Sequence, residues 1–273
     1  MISKKRIRCF LWSLTLILGG LFGSGFWSKP AQAGVLADRV AAFPNWQTKP
    51  PTQAAQGDLV YPAWLEGTWH TTSTLVDLVA PLAPDLITPG FESNRNYLHQ
   101  PIEFDVRFIK QPSPQRIATA LKFLPINTNS ARVVADRAFN GLNLARAYLG
   151  DRAVLSVKVD PDTPTRQITL LRDDRQLVSI VNARAIETSA PDRFITTEVF
   201  QQIFRGSSQP YLNQVETTTA YQRQKTAIVA DQITAVYLSP QDPNYFKAGE
   251  TPLALYRYQL ELAPIDKQTV PSD

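Results

Sequence analysis

Past residue 33 the chain has no cysteine, since its single one is Cys9. A body without thiols forms no disulfide, holds no thiolate-bound metal and offers no cysteine nucleophile. Histidine is almost as scarce, with only His70 and His99. A Ser–His–Asp hydrolase needs a histidine beside a nucleophile on a sharp turn, and no Gly-x-Ser-x-Gly elbow occurs. Two distant histidines without cysteine also make a poor zinc set, so no metal is expected. His70 follows Trp69 and in a strand would face the other way, toward the surface. No Gly-x-Gly-x-x-Gly or Gly-x-x-x-x-Gly-Lys-Ser/Thr cradle is present for nucleotide phosphates. Asp160-Pro161-Asp162 is a turn without the rest of a calcium loop.

Charge of one sign is missing from the start. Residues 1–33 contain no acid but carry Lys4, Lys5, Arg6, Arg8 and Lys29, while the remainder holds 23 basic and 24 acidic residues. The body therefore has no positive excess for nucleic acid or anionic lipid, and no nucleic-acid partner is expected. The start has the parts of a Sec signal peptide. A basic n-region leads into an apolar run from Cys9 to Trp27, broken by glycines, and then into Ala31-Gln32-Ala33 as an A-x-A cleavage site. The glycines and the small-residue exit favour removal over a membrane anchor. Cys9 opens the apolar run rather than closing it, which argues against a lipoprotein, and Lys5-Arg6 is not a twin-arginine pair. Cleavage after Ala33 and Sec export are expected.

Residues 34–58 are rich in Pro, Gln and Ala and read as an extended arm, with Phe43 and Trp46 docking it on the body. Residues 59–264 read as one domain and 265–273 as a flexible tail. The domain shows short stretches heavy in Val, Ile, Thr, Tyr and Phe, parted by Pro, Gly, Asp and Asn, the pattern of an antiparallel all-β protein. Strands are expected over 65–75, 102–110, 115–123, 131–139, 152–160, 166–172, 175–188, 194–204, 212–224, 227–238 and 253–263. Ile102, Phe104, Val106 and Phe108 alternate with Glu103, Asp105 and Arg107, and Tyr256, Tyr258, Leu260 and Leu262 alternate with Arg257, Gln259 and Glu261. Residues 160–164 and 172–175 read as hairpin turns. The stretch 194–204 also fits helical spacing. One short helix is expected over 142–149, with Gly150 as its cap. Closing such a sheet removes exposed edges, so a single β-barrel is favoured over a sandwich.

The body favours arginine, 16 to 7 lysines. Arginine suits bidentate recognition of carboxylate or phosphate, and Arg107, Arg137 and Arg184 within expected strands are candidates to hold an anionic group inside a barrel. Tyr258 joins them as a candidate ligand contact. Arg184 shares a parity with Val178, Ile180, Asn182 and Ile186, which would put its charge on an apolar face where it needs a partner. The alternative is cross-strand pairing with acids such as Glu198 and Glu216. Paired carboxylates for glycoside chemistry are the residual enzyme signal, with no catalytic residue singled out. The connection carrying Tyr245 and Phe246 is a candidate lid, a partner-docking surface or a self-packed loop.

Tyr61-Pro62-Ala63-Trp64-Leu65-Glu66-Gly67-Thr68-Trp69 resembles the opening of calycin barrels, the lipocalins and nitrobindin-like proteins. The resemblance implies that Gly67 and Trp69 close the base of a barrel, with Arg257 of the last strand packing across Trp69. Nitrobindin-like proteins ligate haem through a late histidine, which this chain lacks. Over nearly the whole body the chain also resembles an uncharacterised exported family of cyanobacteria and plastids. That resemblance rests on Phe43-Pro44-Asn45-Trp46, the 61–69 block, Asp136-Arg137-Ala138-Phe139-Asn140, the 237–246 loop and Leu255-Tyr256-Arg257-Tyr258. It implies a periplasmic or thylakoid-lumen address and no activity. The expectation is a calycin-like barrel, without catalysis, that binds an amphipathic small molecule such as a lipid, pigment or tetrapyrrole. The alternative is an assembly factor for a membrane-protein complex.

Overall fold

The computed structural model describes residues 34–112, 131–206 and 210–265. The signal-peptide reading of 1–33, the strand expected over 115–123 and all of the tail but Ile265 lie outside them. The β-rich stretches form β1 (Gln53–Ala54), β2 (Gly67–Val79), β3 (Pro101–Pro112), β4 (Ala131–Ala135), β5 (Val154–Val159), β6 (Arg166–Leu171), β7 (Gln176–Ala190), β8 (Arg193–Arg205), β9 (Tyr211–Arg223), β10 (Ile228–Leu238) and β11 (Ala254–Pro264). The helices are α1 (Val35–Ala41), α2 (Phe91–Asn94), α3 (Arg137–Leu149) and α4 (Tyr245–Ala248).

One antiparallel sheet holds all eleven strands and curls into a half-barrel. Consecutive strands from β2 to β11 pair with each other, except that β4 does not pair with β5, and β2 pairs with β11. Turn chemistry fixes the hairpins. Asp173 and Asp174 both have positive φ, 59° and 54°, giving the left-handed two-residue turn that matches strand twist. The Asp160 carboxylate accepts from the backbone of Asp162 and Thr163. The ambiguous 194–204 stretch is strand throughout β8.

Two pieces of chain fill the break between β4 and β5. Helix α3 packs against β3 on one side and β5 and β6 on the other. Asp136 caps it, accepting from the Phe139 amide at 3.1 Å. Asn140 extends the β3 ladder with its side chain, accepting from the Arg107 amide at 2.7 Å and donating to the Arg107 carbonyl at 3.2 Å. A Cβ on Gly141 would stand 2.6 Å from Gln167 Nε2 and 3.1 Å from Val157 Cγ1, so glycine lets the helix lie close to β5 and β6. The strand expected to run to Phe139 thus stops at Ala135, because Asp136 turns the chain into a helix. At the other end of the break, Gln53 and Ala54 pair with Arg184 and Ala183 of β7, and the Tyr61 amide donates to the Val133 carbonyl of β4 at 2.8 Å.

The inner face has an apolar group at each end. Leu65, Phe108, Val133, Phe194, Ile228, Ala230, Leu260 and Leu262 form one. Tyr61 wedges into it, its ring 4.8 Å from Phe108 and 5.7 Å from Phe194, so it ties β3 to β8. Leu75, Leu78, Phe91, Ala254 and Tyr256 form the other. On the outer face, Ile233, Ala235, Tyr237 and Leu255 are covered by Trp46, Phe43 and Val40. The arm is docked as the sequence suggests but is not wholly extended, since α1 is a full helix.

Candidate inner-wall site

Between the two apolar groups the inner wall is polar. Side chains on neighbouring strands in register share a face, so the rows containing Phe194 and Tyr221 identify which residues point inward. One row runs Tyr258, Gln232, Thr219, Thr196, and the next runs Tyr256, Thr234, Thr217, Glu198, Arg184. Thr219 donates to Gln232 Oε1 at 3.3 Å. Thr217, Thr234 and Gln232 are only half-buried although they lie on strands in the middle of the sheet, so solvent reaches this wall.

Arg184 sets the character of the belt. Its Nη2 lies 3.0 Å from Glu198 Oε1 and its Nη1 donates to the Gly57 carbonyl at 3.0 Å. Its Nε is buried without a partner, as are the hydroxyls of Thr196 and Thr71 on the same inner face. Burial pushes the Glu198 carboxyl above its ordinary range, Asp58 adds to the rise, and Arg184 and Arg137 oppose it. Burial likewise holds the Tyr61, Tyr221 and Tyr258 phenols above their ordinary value, with nearby anions and phenols contributing. Two arginines, two carboxylates and a buried phenol therefore share one field, with unused donors facing inward.

Residues 53–266 match the family model described as Domain of unknown function (DUF6816). The chain belongs to the DUF6816 family. Comparison with curated proteins and with solved structures finds no match. The DUF6816 match begins at Gln53, the first residue of β1, and takes in every strand of the half-barrel and helix α3.

Within the DUF6816 half-barrel the four expected ligand contacts divide. Arg184 and Tyr258 lie on the inner face, and Arg137 stands on α3, close enough for its charge to act on Glu198 and Tyr61. Arg137 is anchored there by the carbonyls of Pro164 and Thr165, which accept from its guanidinium. Arg107 does not face inward. Its parity is opposite to that of Val106 and Phe108, and it pairs with Asp136 at 2.7 Å, with its guanidinium 4.2 Å from the centre of the Phe139 ring. The parity expected for Arg184 also changes. A bulge between Val181 and Ala183 shifts the register, so Val181 shares its face while Val178 and Ile180 lie on the opposite one.

Gly67, at φ 133°, opens β2, and Trp69 packs on the apolar end group while its indole donates to the Leu65 carbonyl at 2.9 Å. The expected contact between Arg257 and Trp69 is absent. Arg257 points outward, bonds Asp231 through Nε at 3.0 Å and lies 5.4 Å from the centre of the Phe43 ring, across the sheet from Trp69. Tyr245 packs on the group formed by Leu238, Ala248 and Leu253, whereas Phe246 is 91% exposed. His70 lies outward, with Nδ1 2.9 Å from Asp105 and Nε2 3.7 Å from Glu103. Among the described residues no group of three His, Cys, Asp or Glu is placed to hold a metal ion.

Thr196, Thr219, Gln232 and Asp58 escaped the sequence reading. A signal existed in 194–199, where Phe194, Thr196 and Glu198 interleave with Ile195, Thr197 and Val199. A strand with apolar residues on both parities has both faces covered.

Proposed function

We propose that this DUF6816 domain is an exported, non-catalytic binding protein of a periplasm or thylakoid lumen. It holds an amphipathic small molecule, a lipid, pigment or tetrapyrrole, against the inner wall of the half-barrel. One observation carries the reading. Arg184 Nε and the Thr196 hydroxyl are buried without partners on a wall whose neighbouring residues are open to solvent. Unused buried donors are unfavourable unless water or a ligand group satisfies them. The apolar part of the ligand lies on Tyr221 and Tyr258, and its anionic end faces Arg184 and Arg137. Glu198 tunes the affinity: burial already favours its neutral acid, and an anion beside Arg184 favours it further, so Glu198 takes up a proton as the ligand binds. In this reading Gly67 and Trp69 do what their resemblance to calycin openings implies, fixing the first strand against the apolar end.

Native mass spectrometry and an absorption spectrum on the protein purified from its own organism test the reading. A stoichiometric adduct identifies the ligand class. A bare mass without a chromophore removes the carrier reading and leaves the assembly factor, which the exposure of Phe246 favours as a contact for a membrane-protein complex.

A further inference from the structure

We propose that the Ala33–Gly34 bond is a processing site whose newly released α-ammonium is captured by Glu187, locking the arm onto the sheet. The proposal is independent of any ligand and rests only on the export reading.

Gly34 caps the N-terminus of α1, its carbonyl accepting from the Asp38 amide at 2.9 Å. It lies against the carboxylate of Glu187 on β7. A Cβ built on Gly34 would stand 2.0 to 2.3 Å from the three carboxylate atoms, so the carboxylate fills the space that any side chain would need. The backbone there is ordinary, with φ −78° and ψ 165°, so the demand for glycine is spatial. The Gly34 nitrogen is two bonds from that same point, so an ammonium at this position would neighbour the carboxylate. Glu187 Oε2 is already used, accepting from the Leu36 amide at 2.9 Å. Glu187 Oε1 is buried and has no partner. A lone buried carboxylate oxygen beside a chain nitrogen is a half-built ion pair. The sequence supplies the rest, because the A-x-A cleavage site ends at Ala33 and the glycine follows directly.

The chemistry is hydrolysis by a leader endopeptidase. Water adds across the bond between the Ala33 carbonyl carbon and the Gly34 nitrogen. The hydroxyl oxygen stays on Ala33, which loses a proton to become a carboxylate, and the Gly34 amine takes up that proton. An uncharged amide with one hydrogen becomes a cation with three, and Glu187 distinguishes the processed chain from its precursor.

The test uses the full chain expressed in a Sec-competent bacterium, with the processed protein isolated. Its first residue is expected to be Gly34. The rate of α-amine acylation, followed against pH, is expected to give a pKa above that of the peptide Gly-Val-Leu-Ala-Asp, whose amine is near the ordinary value of about 8. Near pH 7 the amine reacts about tenfold slower for each unit of that rise, and Glu187→Gln restores the faster rate. A different first residue, or a pKa at or below the peptide's, overturns the proposal. The pKa comparison needs no variant, so it stands even if Glu187→Gln does not accumulate.

Discussion

Arg39 and Glu216, 177 positions apart, form a two-pronged ion pair in which both nitrogen–oxygen distances are 2.7 Å and the carboxylate is wholly buried. Glu216 also accepts from the Thr218 hydroxyl and the Tyr237 phenol, both at 2.8 Å. Above it the Arg39 guanidinium lies 3.8 Å from the centre of the Trp46 ring, and the Trp46 indole donates to the Arg39 carbonyl. The arm is thereby fastened to β9 and β10 through a buried polar anchor.

Arg39→Ala strands that carboxylate under the arm and should cost about 3–5 kcal/mol, the range for breaking a buried pair. Arg39→Met with Glu216→Leu removes both charges and should recover most of the loss. Urea unfolding of the two variants checks this, and equal losses would mean that packing by the arm, not charge, holds it.

Trp69 joins β2 to the turn before it through the bond to Leu65 and its packing on the apolar end group. The ring is half-buried, so Trp69→Ala should destabilise by about 3 kcal/mol, the low end for a large aromatic. Trp69→Phe keeps the packing, loses one hydrogen bond and should cost about 1 kcal/mol. An unchanged melting temperature for the alanine variant removes the barrel-base role.

How the sequence led to these residues differs with the kind of information involved. Strand identity was legible because alternation is local: Ile102 to Phe108 and Tyr256 to Leu262 face as their parity requires. Hairpins were legible because Asp at 173 and 174 tolerates positive φ. Faces were lost wherever a bulge intervened. The inserted Asn182 turned Val178 and Ile180 to the other side from Arg184 while Ile186 kept its face, and no local residue pattern announces that insertion. Helix α3 was half legible. Asp136 followed by good helix formers is an N-cap signal, but the β-branched run before it drew the strand too far. That α3 and residues 53–61 fill the break between β4 and β5 depends on contacts between distant segments, which periodicity does not encode.

Gly141 tests the helical closure of that break. Gly141→Leu forces a side chain into space held by Gln167 and Val157 and should lift α3 from β5 and β6, costing about 1–3 kcal/mol as overpacking does. Hydrogen exchange should speed up at Asn140 and along the Arg107 end of β3. Unchanged protection there would show that α3 is not what closes the sheet.

The buried phenols predict the alkaline limit. Burial raises the pKa of Tyr61, Tyr221, Tyr237 and Tyr258 above the ordinary 10.0 in the folded chain. A group whose folded pKa is raised contributes stability that is present below its unfolded value and lost as pH climbs past it. Stability should therefore hold up to about pH 10 and fall beyond, with these four phenolates appearing together on unfolding. Phenolate absorbance against pH, read beside circular dichroism, checks this, and gradual titration without loss of structure contradicts it.

The decisive variants concern Arg184 and Glu198. Arg184→Ala alone leaves Glu198 without its cation in a buried setting, so a loss of folding would say nothing about a ligand. Arg184→Met with Glu198→Gln removes both charges while keeping similar volume, and should melt within about 2 kcal/mol of the parent. If the pair is structural, ligand retained through purification stays with this double variant. If Arg184 receives the anionic end, the ligand is lost from a folded protein. Glu198→Gln alone should then retain ligand at least as well as the parent, because it removes the carboxylate that competes for Arg184 and no longer has to be protonated. Native mass spectra of the three proteins separate these outcomes, since only recognition by Arg184 makes the double and single variants differ in ligand while both remain folded.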